Sequence, residues 1–386
     1  MKPTFYNEFS CIADRCSISC CQEWKIEVDQ DTKKKWSSLE LENEGKPITS
    51  YVKSSEGIHL IQMDERKRCP FLNEEKLCKL VNQFGDKVLS KTCTTFPREI
   101  KQFGDRTESC LVACCPEVID MLSRQDEVAF TESLEENQGD VLVQIRSLLM
   151  ELVADKEYSA CKAMMMGFYI LLDLYDKETV TSKTIDQYKS HKIRKELSDA
   201  IDQMEFSSIN TFDENNELFL DLAVNYRKEK LYEGFLEPIA RLAEEYSEGY
   251  DEDQVYEQLE VFEEKFASYE QLMRNYLVSQ LFNNSLHPES DLKDMVALFQ
   301  WIALEYGVIR HTVLLQWLLA GAEELEYTKV RDAIVIISRM TGYEEDDIFE
   351  YLENSFQSLI WDWGYLALLL GNYGLWWAYS LSIGVL

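Results

Sequence analysis

Ten of the eleven cysteines in this 386-residue chain lie at positions 11, 16, 20, 21, 69, 78, 93, 110, 114 and 115, and only Cys161 falls beyond them. The first four crowd into FSCIADRCSISCCQEW, Phe9 to Trp24. Cysteines used as small core residues are scattered, so this gathering requires a segment folded around its thiols. The opening residues MKPTFYNEFS carry no apolar run of the signal-peptide kind. A cytoplasmic location is therefore expected, where thiols stay reduced and clustered cysteines point to metal or redox chemistry. The alternative is buried thiols or vicinal disulfides, and an odd count argues against a fully paired framework.

Charge and texture change where the cysteines end. Residues 1–115 hold 18 basic and 18 acidic residues, so the whole net charge of −31 belongs to the remainder. Such an acidic chain is not expected to bind nucleic acid, which needs Lys and Arg against phosphate. It suits a cationic protein surface, or simply a solvated face. Five of the seven prolines precede residue 120. Beyond it, long segments repeat apolar residues at helical spacing, among them 140–153, 231–246, 255–282, 291–306, 328–340 and 345–356. The expected fold is mainly α: a small, irregular, Cys-rich metal-binding domain over residues 1–120, then an acidic helical array over 121–386.

The stretch 363–386 holds no charged residue and is long enough to cross a bilayer. No Lys or Arg follows Arg339, however, and four glycines interrupt the stretch. A buried terminal hairpin is expected, with membrane contact as the alternative.

Thiolates suit zinc, which takes four tetrahedral ligands, and they suit iron–sulfur clusters. Cys11-x4-Cys16-x3-Cys20-Cys21 offers four candidates close in sequence, which lowers the entropy lost in gathering them. Adjacent side chains diverge, so Cys20 and Cys21 are expected to point to different places. The chain lacks the paired CxxC knuckles of a zinc ribbon, which favours a cluster over zinc.

Several motifs occur in a familiar order. Phe9-Ser10-Cys11, Cys16, Cys20-Cys21-x-x-Trp24, Ile26 and Asp29 come first. Cys69-Pro70-Phe71-Leu72, Leu77-Cys78, Leu89-Ser90-x-Thr92-Cys93, Phe96-Pro97-Arg98 and Cys115-Pro116-Glu117 follow, with YEQLMRNYLVSQLF (269–282) further on. The set resembles the flagellin lysine N-methylases, part of a wider group of zinc- or iron-chelating Cys-rich domains. Glu23 stands where that pattern has Gly, Thr94 where it has Arg, Phe96 where it has Tyr, and Cys114 where it has Ser. Cys110 and Cys114 look additional. The resemblance leaves eight candidate ligands: Cys11, Cys16, Cys20, Cys21, Cys69, Cys78, Cys93 and Cys115. One [4Fe–4S] cluster needs four of them and eight suffice for two centres; their partition is not readable from the sequence.

The resemblance implies methyl transfer to lysine side chains of flagellin, with S-adenosylmethionine as donor and a [4Fe–4S] cluster, or zinc, as resident metal. A lysine amine must lose its proton before it can attack. No glycine-rich dinucleotide loop and no CxxxCxxC motif is present, so neither common donor-binding arrangement applies. A structural cluster and a donor-binding one are both compatible with the spacing. Arg98 is a candidate clamp for the donor carboxylate or a surface ion pair. Trp24 is a candidate wall of the cofactor pocket or a core residue. Asp29 is a helix cap or a base. His59, His191, His287 and His311 lack metal-ligand spacing, and Met164-Met165-Met166 reads as core. The competing readings are a metal-stapled protein-binding module without catalysis and a metal-handling protein.

Overall fold

The computed structural model describes residues 1–42, 45–55, 57–132, 140–342 and 345–371. The Cys-rich part is built from short pieces. They are helices α1 (Gln30–Trp36), α2 (Lys79–Phe84) and α3 (Lys91–Thr95) and two antiparallel hairpins, β1 (Val52–Ser55) with β2 (Ile58–Ile61) and β3 (Arg98–Phe103) with β4 (Arg106–Leu111). Elements this short are not stable on propensity alone. Side-chain caps and a small core fix them. Asp29 caps α1 through the Thr32 amide (3.0 Å) and also accepts from the Lys91 amide (2.9 Å), which ties the starts of α1 and α3 together. Ser90 caps α3 through the Cys93 amide at 3.1 Å. Trp36, buried edge-on against Phe71, donates its indole N–H to the Val88 carbonyl at 2.8 Å. Cys69 belongs to this small core, and Cys21, Cys78 and Cys93 pack against it.

The larger core is helical. After α4 (Pro116–Ser123) come α5 (Val141–Ala154), α6 (Ala160–Tyr175), α7 (Ser182–Asp186), α8 (His191–Asp202) and α9 (Ser208–Glu229). Next are α10 (Glu233–Glu248), α11 (Glu252–Phe266), α12 (Glu270–Asn284), α13 (Leu292–Leu319), α14 (Tyr327–Met340), α15 (Glu345–Ser355) and α16 (Trp363–Leu370). Helix α13 is the axis. It starts at an Asp291–Asp294 capping box and is buried on every side over most of its 28 residues, with α6, α9, α10, α12, α14 and α16 around it. Met164, Met165 and Met166 lie in this core, as expected. The segment 255–282, read as one helix, is two: a 3-10 turn at Ala267–Tyr269 separates α11 from α12. There the Ser268 hydroxyl bonds back to the Lys265 carbonyl (2.8 Å) and competes with the helix ladder. Pro238 sits inside α10, where only the Gly234 carbonyl in the first turn loses its helical donor.

The two parts share the larger core. Phe5, Tyr6, Phe9 and Leu111 pack into it from the Cys-rich side. Arg146 on α5 donates through both terminal nitrogens to the carboxylate of Glu108 on β4 (2.8 and 2.5 Å), and both side chains are buried. Of the apolar tail, Trp363–Leu370 forms α16 and packs against α6, α9 and α13. The rest of the expected terminal hairpin lies outside the described residues. Among the described residues, no helix is long and apolar enough to cross a membrane.

Candidate functional site

A cavity of about 1210 Å³ opens between the Cys-rich part and the helical array. Both residues that the sequence offers as cofactor-pocket candidates, Trp24 and Arg98, line it. Trp24 packs edge-on against Phe96 with ring centres 4.9 Å apart, so it is both wall and packing residue. Arg98 donates to the Phe9 carbonyl (3.0 Å), and its guanidinium lies over the Phe9 ring at 4.9 Å. It therefore also holds the N-terminal segment in place. Asp29 is the cap already described. Its amide donors hold its carboxyl down to about 2, the Lys91 amide first.

The helical side of the cavity supplies groups that the sequence did not single out. Glu305 of α13 lies at its floor, 4% exposed. Its carboxylate accepts from Tyr276, Gln280 and Thr341, and from the Ser338 hydroxyl at 3.3 Å. Burial pushes it above the ordinary carboxylate range, although these donors pull the other way. Tyr226 and Tyr232 stack with ring centres 6.3 Å apart, and Trp301 adds another aromatic surface. The signal that could have found Glu305 is that it is the one charged residue in the run FQWIALEYGVI.

Arg339 joins the two sides. From α14 it donates to the carbonyls of Ile18 (2.9 Å), Ser19 (3.4 Å) and Cys114 (3.0 Å) and to the Tyr232 hydroxyl (3.2 Å). Arg331, two turns earlier on the same helix, donates to the Ser17 hydroxyl at 2.9 Å. Helix α14 thus pins the cysteine loop against the start of α4. Glu23, standing where the resembling pattern has Gly, adopts a left-handed φ of +54° that glycine takes without strain. Its carboxylate accepts from the Tyr232 amide at 2.7 Å, an added tie between the two sides.

All eleven cysteines are free thiols. Cys21, Cys69, Cys78 and Cys93 gather at the small core. Burial, first, and then the neighbouring thiolates push Cys69 up, and Cys93 up to about 11. Cys11, Cys16 and Cys20 sit in the loop that α14 holds, with Cys115 at the start of α4. Contrary to the expectation that adjacent side chains diverge, the thiols of Cys20 and Cys21 share a hydrogen bond, which holds Cys21 down to about 7. Cys110 lies on β4 with its sulfur 3.9 Å from the Glu99 carbonyl, and Cys114 lines the cavity. Cys161 is buried 3.5 Å from the Tyr306 hydroxyl. Among the described residues, no group of three or more His, Cys, Asp or Glu side chains stands close enough to hold a metal ion. The thiols are nonetheless the soft donors that zinc and iron–sulfur clusters take.

Comparison with known proteins gives two family matches. Residues 146–369 match the FliB lysine N-methylase C-terminal domain. Residues 10–111 match a domain whose description proposes zinc or iron chelation. The chain is 29% identical over 153 residues to the flagellar biosynthetic protein FliU of Salmonella muenchen, covering 36% of this chain and 87% of FliU. It is 30% identical over 143 residues to a lysine-N-methylase of Salmonella typhimurium, and 30% over 145 residues to one of Salmonella choleraesuis. Each of those stretches covers 34% of this chain and 34% of the relative, so about a third of the length of either methylase is matched. No solved structure matches the chain.

Proposed function

Because the chain belongs to the FliB lysine N-methylase family, we propose that it transfers methyl groups to lysine side chains of flagellin, with S-adenosylmethionine as donor and an iron–sulfur centre held by its N-terminal cysteines. The observation that carries this reading is the cavity. It lies where the segment matching the chelating family meets the segment matching the methylase family, and both line it. A lysine side chain is long and slender, with an apolar stem and a charged head. Tyr226, Tyr232, Trp24 and Trp301 offer aromatic surface to the stem and to the cationic head.

Glu305 is the group we assign to take the lysine proton. A carboxylate raised by burial is a better base than an exposed one, and the low dielectric around it also favours the neutral amine. As the neutral nitrogen bonds to the methyl carbon, the carbon–sulfur bond of the donor breaks and its sulfonium becomes a thioether, with the lysine proton left on Glu305. The acidic exterior of the helical part suits a lysine-bearing protein substrate.

The test is transfer of labelled methyl from S-adenosylmethionine to purified flagellin by the full chain prepared anaerobically. Label on flagellin lysines supports the reading. Binding to flagellin without label would instead favour the metal-stapled binding module.

A further inference from the structure

The cavity is larger than a lysine side chain needs. Its volume of about 1210 Å³ exceeds the roughly 300–1,000 Å³ that encloses a drug-sized ligand, so a second reactant fits beside the lysine stem. The stacked rings assigned to that stem, Tyr226 and Tyr232, stand at the end of α9 and the start of α10. Another wall is polar and comes from α12. Gln280 and Asn284 lie on its last turn and His287 just beyond it, and all three line the cavity. Strand β3 adjoins this wall, where the Lys101 ammonium donates to the Asn283 carbonyl.

Hydrogen bonds fix which way the two amides face. The Glu305 carboxylate only accepts while ionised, so Gln280 turns its Nε2 to it, and the same nitrogen donates to the Tyr276 hydroxyl at 3.1 Å. The Gln280 Oε1 then faces the other way and accepts from the Asn284 Nδ2 at 3.0 Å. Order passes along the row in this manner. With its nitrogen turned to Gln280, Asn284 keeps an Oδ1 and a second Nδ2 hydrogen that have no partner among the described residues. Turning this amide over would set two oxygens face to face. His287, lowered to about 4 by burial and then by the Lys101 charge, adds an uncharged ring near neutral pH. It brings no cation against the sulfonium of a bound donor.

We infer that the Asn284 carboxamide reads the adenine of the methyl donor, accepting from the 6-amino group and donating to N7, and that Gln280 is its positioning residue. The inference rests on the donor named in the function proposed above. A carboxamide with one acceptor and one donor side by side matches that edge of adenine. A 6-oxo purine puts an acceptor where the amino group was. To meet it, Asn284 would have to turn over, and its oxygen would then face the Gln280 oxygen. Gln280 does not follow, because its nitrogen is committed to Glu305. The base assigned to the reaction thus sets, through two amides in series, which purine the cavity takes.

The experiment is calorimetric titration of the anaerobically purified full chain with S-adenosylhomocysteine, the spent donor, and with S-inosylhomocysteine, its 6-oxo counterpart. Wild type is expected to bind the adenine compound about 10–100-fold more tightly, the discrimination that one bidentate contact supplies. Asn284→Ala is expected to abolish that ratio by weakening the adenine compound, with affinity for flagellin unchanged. Gln280→Leu is expected to narrow the ratio although Asn284 is still present, which a loss of packing alone would not do. Should Gln280→Leu fail to fold, the wild-type ratio and Asn284→Ala still decide. Equal binding of the two compounds by wild type, no binding of either, or a ratio retained by Asn284→Ala or Gln280→Leu would overturn the inference. So would an Asn284→Ala chain that binds flagellin more weakly and both compounds as before, which would give this wall to the protein substrate. Labelled methyl transfer to flagellin, run in parallel, separates the two readings. Transfer without discrimination keeps the proposed function and loses the adenine subsite, and discrimination without transfer does the reverse.

Discussion

The guanidinium of Arg339 lies 4.7 Å from the Trp24 ring while its nitrogens bond the carbonyls of Ile18, Ser19 and Cys114. One side chain from the helical array therefore positions a cavity wall and a cysteine loop together. Lysine carries the same charge but cannot reproduce a planar fork of donors.

Arg339→Lys is accordingly expected to lose about 1–3 kcal/mol of stability, because it leaves buried carbonyls without donors. The measurement is the urea midpoint of the full chain. Methyl transfer should fall as the Trp24 wall loosens. A lysine variant matching wild type in both would show that the fork is idle.

Glu305→Gln keeps the shape of the site and removes its base. Turnover is expected to fall by about 10²–10⁴ with a smaller change in KM. Glu305 titrates above the ordinary carboxylate range and is a base only when ionised, so wild-type turnover should decline as pH falls through that raised value. The acid limb should vanish in the variant. A pH–rate profile of both enzymes checks this, and an unchanged limb would assign it to another group.

His311 is buried against Phe212, with its Nε2 3.0 Å from Oδ1 of the Asn216 side chain, and burial lowers it to about 3. The unfolded chain binds this proton near pH 6.5 and the folded chain does not. The contribution is therefore complete above about pH 6.5 and is lost as pH falls toward 3, reaching about 2 kcal/mol by pH 5. His311→Gln should flatten the dependence of the urea midpoint between pH 7 and pH 5. His287, lowered to about 4 mainly by burial, titrates in both proteins and so cancels in the comparison.

Gly307 marks a close approach on α13. A Cβ there would come within 2.5 Å of Oδ1 of the Asn215 side chain and 3.3 Å of the Leu369 carbonyl oxygen. Gly307→Ala gains helix propensity but crowds α9 and α16, and a net loss of about 1–3 kcal/mol is expected. Denaturant titration reads it directly. A stabilised variant would mean that Asn215 swings aside at little cost.

Local patterns carried much of this architecture. The gathering of thiols marked the ligand-tied domain, and helical spacing marked the array. Resemblance alone brought Trp24 and Arg98 forward, and both line the cavity. The gathering of Cys69, Cys78 and Cys93 with Cys21 at the small core was hidden because it depends on where turns and caps carry them, not on spacing. Glu305, Arg310 and His311 interrupt a mostly apolar stretch of α13, and each is buried against other elements. The partners Thr341, Gly371 and Asn216 lie 36, 61 and 95 residues away, and no short window of the sequence holds both members of such a contact. Arg339 stood out only as the final cationic residue before the apolar tail.

Glu108 and Arg146 bear on how freely the two parts can be exchanged. Each carries a charge out of water, and each answers the other across the boundary. Transplanting residues 1–111 onto a foreign helical array would leave the buried Glu108 carboxylate with Arg106 alone, 3.1 Å away, unless the recipient offered an arginine at the matching turn of its first long helix. An exchange of parts should therefore cost least where Glu108 and Arg146 travel together, so the Cys-rich part behaves as half of a lock rather than as an independent cassette.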